Sequence, residues 1–256
     1  MTTGNTVRLP VRDLYGSRFR CLLLTHSPRD VVARLLTDLI EPYGFVDADR
    51  DNWMPRGLIN PTEAKLGESD FLSNSDSESV TTWWLEVSQY ANTPNWDIVS
   101  TCTVDGRPGL VLVEAKAHLG ELSDAGKPVP TSPNGMKNHE RTILATAESN
   151  SGLNSVMSGF SLTVESHYQL CNRFAWSWKI ATLGIPVILV YLGFTNADDM
   201  RDRGQTPFDD DSEWERAVRE AGRGLIPNKA WGASLNIGGT PVIPLIRSID
   251  GRWPSD

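Results

Sequence analysis

Long apolar runs are missing from this chain. None approaches the ~18 residues that a membrane-spanning helix requires, so no membrane partner is expected. Cysteine is scarce. Cys21, Cys102 and Cys171 are isolated, odd in number and form no Cys-x-x-Cys pair. That argues against a disulfide framework and a zinc knuckle, and points to a reduced, cytoplasmic setting. The N-terminal stretch MTTGNTVRLPVRD lacks the apolar centre of a secretory signal, which agrees. Positive charge is also in short supply: 24 Lys and Arg face 32 Asp and Glu, a formal net charge of −8. Arg141, Arg173, Lys179, Arg201, Arg203, Arg219 and Arg223 are scattered rather than clustered. This counts against a general nucleic-acid coat, though not against an enzyme whose metal-binding carboxylates add negative charge. No Gly-rich phosphate loop, HExxH or GxSxG supports a rival enzyme class. Against these absences stand nine tryptophans, a sign of a deep core or of aromatic contact surfaces.

The most informative stretch runs from Trp96 to Glu121. Ile98 to Val104 is rich in β-branched residues and Leu110 to Val113 is a short apolar run, so both read as strands. Asp105-Gly106 between them is a strong hairpin signal. A two-residue loop sets Asp97 opposite Glu114; a four-residue loop, Asp105 to Pro108, sets it opposite Lys116. Either way Asp97, Glu114 and Lys116 share one face at one end of the hairpin, because side chains alternate with period two. A three- or five-residue loop would turn Asp97 to the other face unless a bulge compensated. Two like charges this close repel unless a cation lies between them, and a hard divalent ion fits oxygen donors. Lys116 would then orient or deprotonate an attacking water or stabilise charge on a phosphate. The plainer reading is a salt-bridged strand end.

The rest of the chain reads as alternating helices and strands. Residues 17–25 read as a strand, and Pro28 to Ile40 as a helix capped by Ser27 and stopped by Pro42. The polar stretch from Val46 to Gly57 reads as solvated loop, its acidic run DADRDN lacking the Gly and the distal Glu of a calcium loop. Residues 61–90 read as helical with a break at 73–79, Glu63-Ala64-Lys65 being a capped helix start. On the helix from Val80 to Tyr90, Glu86 falls three after Trp83 and four before Tyr90, on or beside the buried face. An acidic group there needs a partner or an ion. Residues 122–137 read as an irregular loop able to cover a site. His139 to Met157 reads as a helix broken at Gly152, and Val164 to Leu183 as the longest helix. Val187 to Phe194 reads as a strand buried on both faces. Ser212 is expected to cap a helix ending at Gly222. Pro241 to Ile246 reads as an edge strand because of Pro244. His118 shares strand parity with Glu114 and Lys116. Gln169 and Arg173, one helical turn apart, are candidates for reaching the site.

Asp97, then a strand and turn, then Glu114-Ala115-Lys116 after an apolar run, resembles the PD-(D/E)xK nuclease superfamily over roughly Thr81 to Phe194. The resemblance implies a restriction-endonuclease-like core in an α/β protein: a central mixed sheet flanked by helices. It implies Mg2+ (or Mn2+) held by Asp97, Glu114, the Ala115 carbonyl and an upstream acid, Glu86. It further implies Lys116 as catalytic base or water-orienting group, with His118, Gln169 and Arg173 near the substrate. The expected activity is metal-dependent phosphodiester hydrolysis on nucleic acid, DNA ahead of RNA, with a homodimer as an open possibility. A catalytically inactive nuclease-fold binding or scaffold protein is the alternative. The whole of 1–256 is expected to form one α/β domain: a core of about 80–194, an N-terminal strand and helix over 17–44, and a C-terminal helix and strand over 212–248. The family's core carries a three-strand meander; two clear strands lie between Glu86 and Val164, and residues 17–25 are the candidate for the third.

Overall fold

A computed structural model describes residues 15–89 and 91–252. The N-terminal stretch, Tyr90 and the end of the tail lie outside the described residues. In chain order the elements are α1 (Gly16–Leu24), α2 (Arg29–Ile40), β1 (Trp53–Met54), β2 (Ala64–Lys65), α3 (Asn74–Trp84), β3 (Asn95–Trp96), β4 (Ile98–Val104) and β5 (Arg107–Lys116). There follow α4 (Pro133–Val156), α5 (Tyr168–Thr182), β6 (Val187–Thr195), α6 (Asp211–Ala221), β7 (Leu235–Ile237) and β8 (Thr240–Asp250). Six strands form one mixed sheet in the order β1-β4-β5-β6-β8-β7, and β2 pairs with β3 in a separate two-stranded ribbon. The α/β class with a central mixed sheet flanked by helices is as expected.

The hairpin turn is the two-residue one. Val104 pairs with Arg107, and the ladder runs back to Ile98 opposite Val113. Asp105 and Gly106 have φ of 49° and 73°, the left-handed pair that a type I′ turn demands and that Asp-Gly tolerates best. The next opposed positions are Asp97 and Glu114. β5, β6 and β8 are mutually parallel. The segment between β5 and β6, with α4 and α5, is the crossover that a parallel pair requires.

Period-two alternation splits the apolar side chains between two cores. Val99, Leu110, Leu112, Leu189 and Tyr191 join α3, α4, α5 and α6 on one face. Ile98, Val111, Val113, Ala115, Val190 and Leu192 join α1 and α2 on the other. By parity Glu114 and Lys116 belong to the α5 face. The tryptophans concentrate there: Trp83 and Trp84 of α3 lie 6.1 and 5.7 Å from Trp176 of α5, edge to face.

Several readings of the sequence are corrected. The stretch 17–25 is helix α1 (Gly16–Leu24) with Thr25 as its C-cap, not a strand; Arg20 is buried on its core side, held by Gly251 O at 3.1 Å and by Asp199, so its charge masked the helical spacing. The edge beside β4 is taken instead by β1, inside the stretch read as loop. Asp51 of that stretch is buried and ties it to β4, accepting from Thr101 Oγ1 at 2.9 Å. Ala64-Lys65 is strand rather than helix start, paired with Asn95-Trp96. Gly152 does not break α4; a Cβ there would lie 2.2 Å from Trp178 Nε1, so glycine lets α4 close on α5. Helix α2 begins at Arg29 with Pro28 as N-cap and no side-chain cap from Ser27, and α6 is capped by Asp210, whose side chain accepts from Glu213 N at 2.8 Å, rather than by Ser212. β8 is not an edge strand: it lies between β6 and β7. Pro244 is tolerated because β7 pairs only as far as Val242, leaving that flank without a ladder at the proline.

Candidate functional site

Asp97, Glu114 and Lys116 line one cleft of about 620 Å³ where β5 ends. Carboxyl ends of parallel strands are where open α/β sheets usually bind ligands. Asp97 sits at the bend between β3 and β4, half-buried, and its Oδ2 accepts the Ala115 N–H at 2.7 Å. No donor among the described residues reaches its Oδ1. Glu114 is 1% exposed, and both of its oxygens are held. Lys116 Nζ donates to Oε1, and Arg173 Nε donates to Oε2 at 2.6 Å. Lys116 also donates to Gln169 Oε1 at 3.0 Å. Arg173 in turn donates to Asn95 O at 2.6 Å and lies 4.3 Å over the Trp96 ring. Gln169 and Arg173, four apart on α5, thus reach down one helix face to Lys116 and Glu114 of β5.

The electrostatics assign different states to the two carboxylates. Burial and the Glu114 charge push Asp97 up to about 7, against the pull of Lys116 and the Ala115 N–H. Burial acts upward on Glu114 too, but Arg173 and Lys116 outweigh it and hold that carboxyl below its usual value. Burial acts downward on Lys116, but Glu114 and Asp97 outweigh it and raise its pKa. At neutral pH Lys116 is therefore an ammonium. It can orient a ligand and stabilise negative charge, but it is poorly placed to remove a proton. Asp97, titrating near neutrality, is better suited to hold or release one.

Other expected residues fall elsewhere. Glu86 is exposed and outside the cleft. Helix α3 ends at Trp84; Leu85 is extended, and the Asn138 side chain pairs with both backbone groups of Val87, at 2.8 and 2.9 Å. That contact from α4 replaces the helical bonds that would have carried Glu86 onto the buried face. An upstream acid does line the cleft, but it is Glu63, brought there by the β2–β3 pairing and bonded to Asn95 Nδ2 at 3.0 Å. Ala115 points its methyl into the opposite core, while its backbone stays at the cleft through the N–H that Asp97 accepts. His118 lies outside the cleft, 3.7 Å from Glu121. Glu121 does line the cleft, accepting from Ser17 Oγ at 3.1 Å. Lys127 and Tyr168 complete the wall; neither stood out as a site residue, because a lysine in a Pro/Gly-rich loop has no periodicity to mark it.

Among the described residues no three His, Cys, Asp or Glu side chains converge closely enough to hold a metal ion by themselves. No helix among them is long and apolar enough to cross a membrane. Comparisons of the chain with protein-family models, with curated proteins and with solved structures return no match.

Proposed function

We propose that this chain is a metal-dependent phosphodiester hydrolase acting on nucleic acid, of the PD-(D/E)xK type. The observation that carries the reading is the convergence of Asp97, Glu114 and Lys116 in one cleft through a two-residue turn. Mg2+ is commonly held by one or two carboxylates, with waters and ligand oxygens completing its shell. Asp97, with one oxygen that no described residue donates to, meets that minimum; Glu114 would add a second carboxylate only by sharing an oxygen with Lys116 or Arg173. Asp97 Oδ1 faces no donor among the described residues, and burial and the neighbouring charge both load this carboxylate. A divalent cation would relieve that load, so the donors fit Mg2+ or Mn2+. When bound, the ion would supply Lewis acidity at the phosphate and favour ionisation of water.

The chain's own residues divide the remaining work. Ala115 N–H fixes the Asp97 carboxylate, and Arg173 fixes Glu114 while itself locked by Asn95 O and the Trp96 ring. Gln169 aims Lys116, whose ammonium stabilises charge growing on the phosphate oxygens. His118 has no part in this scheme. A second reading, a nuclease-fold binding or scaffold protein without catalysis, draws support from Glu114 being closed by two cations.

The test has two stages. Calorimetry with and without Mn2+ or Mg2+ is expected to give a rise in Tm that disappears in Asp97→Ala and Glu114→Ala. Incubation with single- and double-stranded DNA and RNA is then expected to give cleavage that Lys116→Ala abolishes without unfolding the protein. Metal stabilisation without cleavage selects the inactive reading. No response of Tm to metal and no cleavage overturn the enzyme.

A further inference from the structure

The cleft's three cations are not equivalent. Lys116 and Arg173 are both bound to Glu114, whereas Lys127 has no carboxylate partner among the described residues. Its ammonium donates to Tyr168 Oη at 2.9 Å and stands 4.8 Å from the Tyr168 ring and 5.9 Å from that of Trp84. Burial pushes the Tyr168 phenol up to about 12, so the phenol is neutral and gives Lys127 no counter-charge. Burial also lowers the Lys127 pKa. A partly desolvated ammonium with only a neutral acceptor and two ring faces carries an unmet demand for an anion.

The backbone holds Lys127 there deliberately. Lys127 N donates to Val164 O at 2.7 Å, Tyr168 N to Ala125 O at 3.0 Å, and His167 N to Asp124 O at 2.9 Å. These bonds strap residues 124–127 against the lead-in to α5. The strap closes at Gly126, where a Cβ would stand 2.1 Å from Glu165 O, so only glycine allows the approach. A loop of this composition is thereby made into a fixed wall of the cleft, with one lysine aimed inward.

We propose that Lys127, set against Tyr168 and Trp84, is the grip for a phosphate of the substrate other than the one being cleaved, and that the cleft takes a flexible nucleic-acid single strand by this one unpaired cation. The proposal rests on the phosphodiester reading of the site. It also accounts for an acidic protein binding a polyanion: the acidic groups Glu63, Asp97 and Glu121 along the cleft oppose a rigid duplex with its dense charge, whereas a bent single strand needs a single cation beside the reacting centre.

The experiment uses a short oligothymidylate as probe, in EDTA so that nothing is cleaved, with affinity read by fluorescence anisotropy across a salt series. Lys127→Met is expected to weaken binding tenfold or more, and to lower the slope of log affinity against log salt by about 0.7, the share of one single-strand phosphate. Lys127→Arg is expected to keep most of the affinity. The same strand with uncharged methylphosphonate linkages is expected to bind wild type and Lys127→Met alike. Should the Met variant not fold, Lys127→Gln, read in the same salt series, carries the test. Equal affinity of wild type and Lys127→Met for the charged strand, or no binding by wild type, overturns the proposal. Adding Mn2+ separates the two claims. Lys127-dependent binding without cleavage leaves the grip standing and removes the enzyme; cleavage with a KM indifferent to Lys127→Met does the reverse.

Discussion

Asp97→Asn is expected to make the metal-free protein more stable at neutral pH, against the usual cost of altering a partly buried group. The Asp97 carboxyl rises from 3.8 to about 7 in the folded protein, first through burial and then through the Glu114 charge. Its folded value is thus above its unfolded one, and the folded state holds the proton more tightly. The stability that this proton confers is fully present below about pH 4 and is lost as pH rises through about 7. Each tenfold difference in proton affinity is about 1.4 kcal/mol, so the full difference between the two values is about 4 kcal/mol. Water in the cleft and the coupled titration with Glu114 reduce it, and about 2 kcal/mol is the expected realised effect. Asparagine keeps an oxygen for the Ala115 N–H and loses the ionisation. Urea unfolding in EDTA, repeated from pH 4.5 to 8.5, should show the two proteins nearly equal in acid and the Asn variant ahead above pH 7. Mn2+ should reverse the order, because only the wild type retains the full donor pair. An Asn variant less stable than wild type at pH 8, or a gap that does not change with pH, would refute the electrostatic account of this site.

Glu114→Gln should act in the opposite sense. It takes from the buried Lys116 and Arg173 the carboxylate that both of them bind, leaving only the more distant Asp97, and urea unfolding at pH 7 should register a loss of about 3 kcal/mol; a loss below about 1 kcal/mol would mean that Asp97 or water takes over. Glu86→Ala removes an exposed side chain beyond the end of α3, so stability should stay within about 0.5 kcal/mol and metal-dependent cleavage should be unchanged. A large loss of cleavage would return Glu86 to the site.

What was legible beforehand was whatever short-range geometry governs. A strand alternates with period two whatever surrounds it, and Asp-Gly between two β-rich runs favours a two-residue turn. Those two local facts put Asp97, Glu114 and Lys116 on one face before any packing was known. The same locality made the buried strand Val187–Thr195 and the spacing of Gln169 and Arg173 on α5 readable from the chain.

Where a residue's fate depended on a distant partner, sequence pattern failed. Glu86 left the buried face because Asn138, far along the chain, captures the backbone of Val87. Helix α1, over residues read as a strand, buries the charged Arg20, which finds acceptors at Gly251 and Asp199 that no local pattern announces. Glu63 reached the cleft through a ribbon of two short strands, too brief for any periodicity to announce it. Lys127 reached it because Gly126 lets one loop backbone rest on another. Local backbone preference decided which face of a strand each charge would occupy; long-range pairing of polar groups, which no spacing encodes, decided which other charges would meet them there.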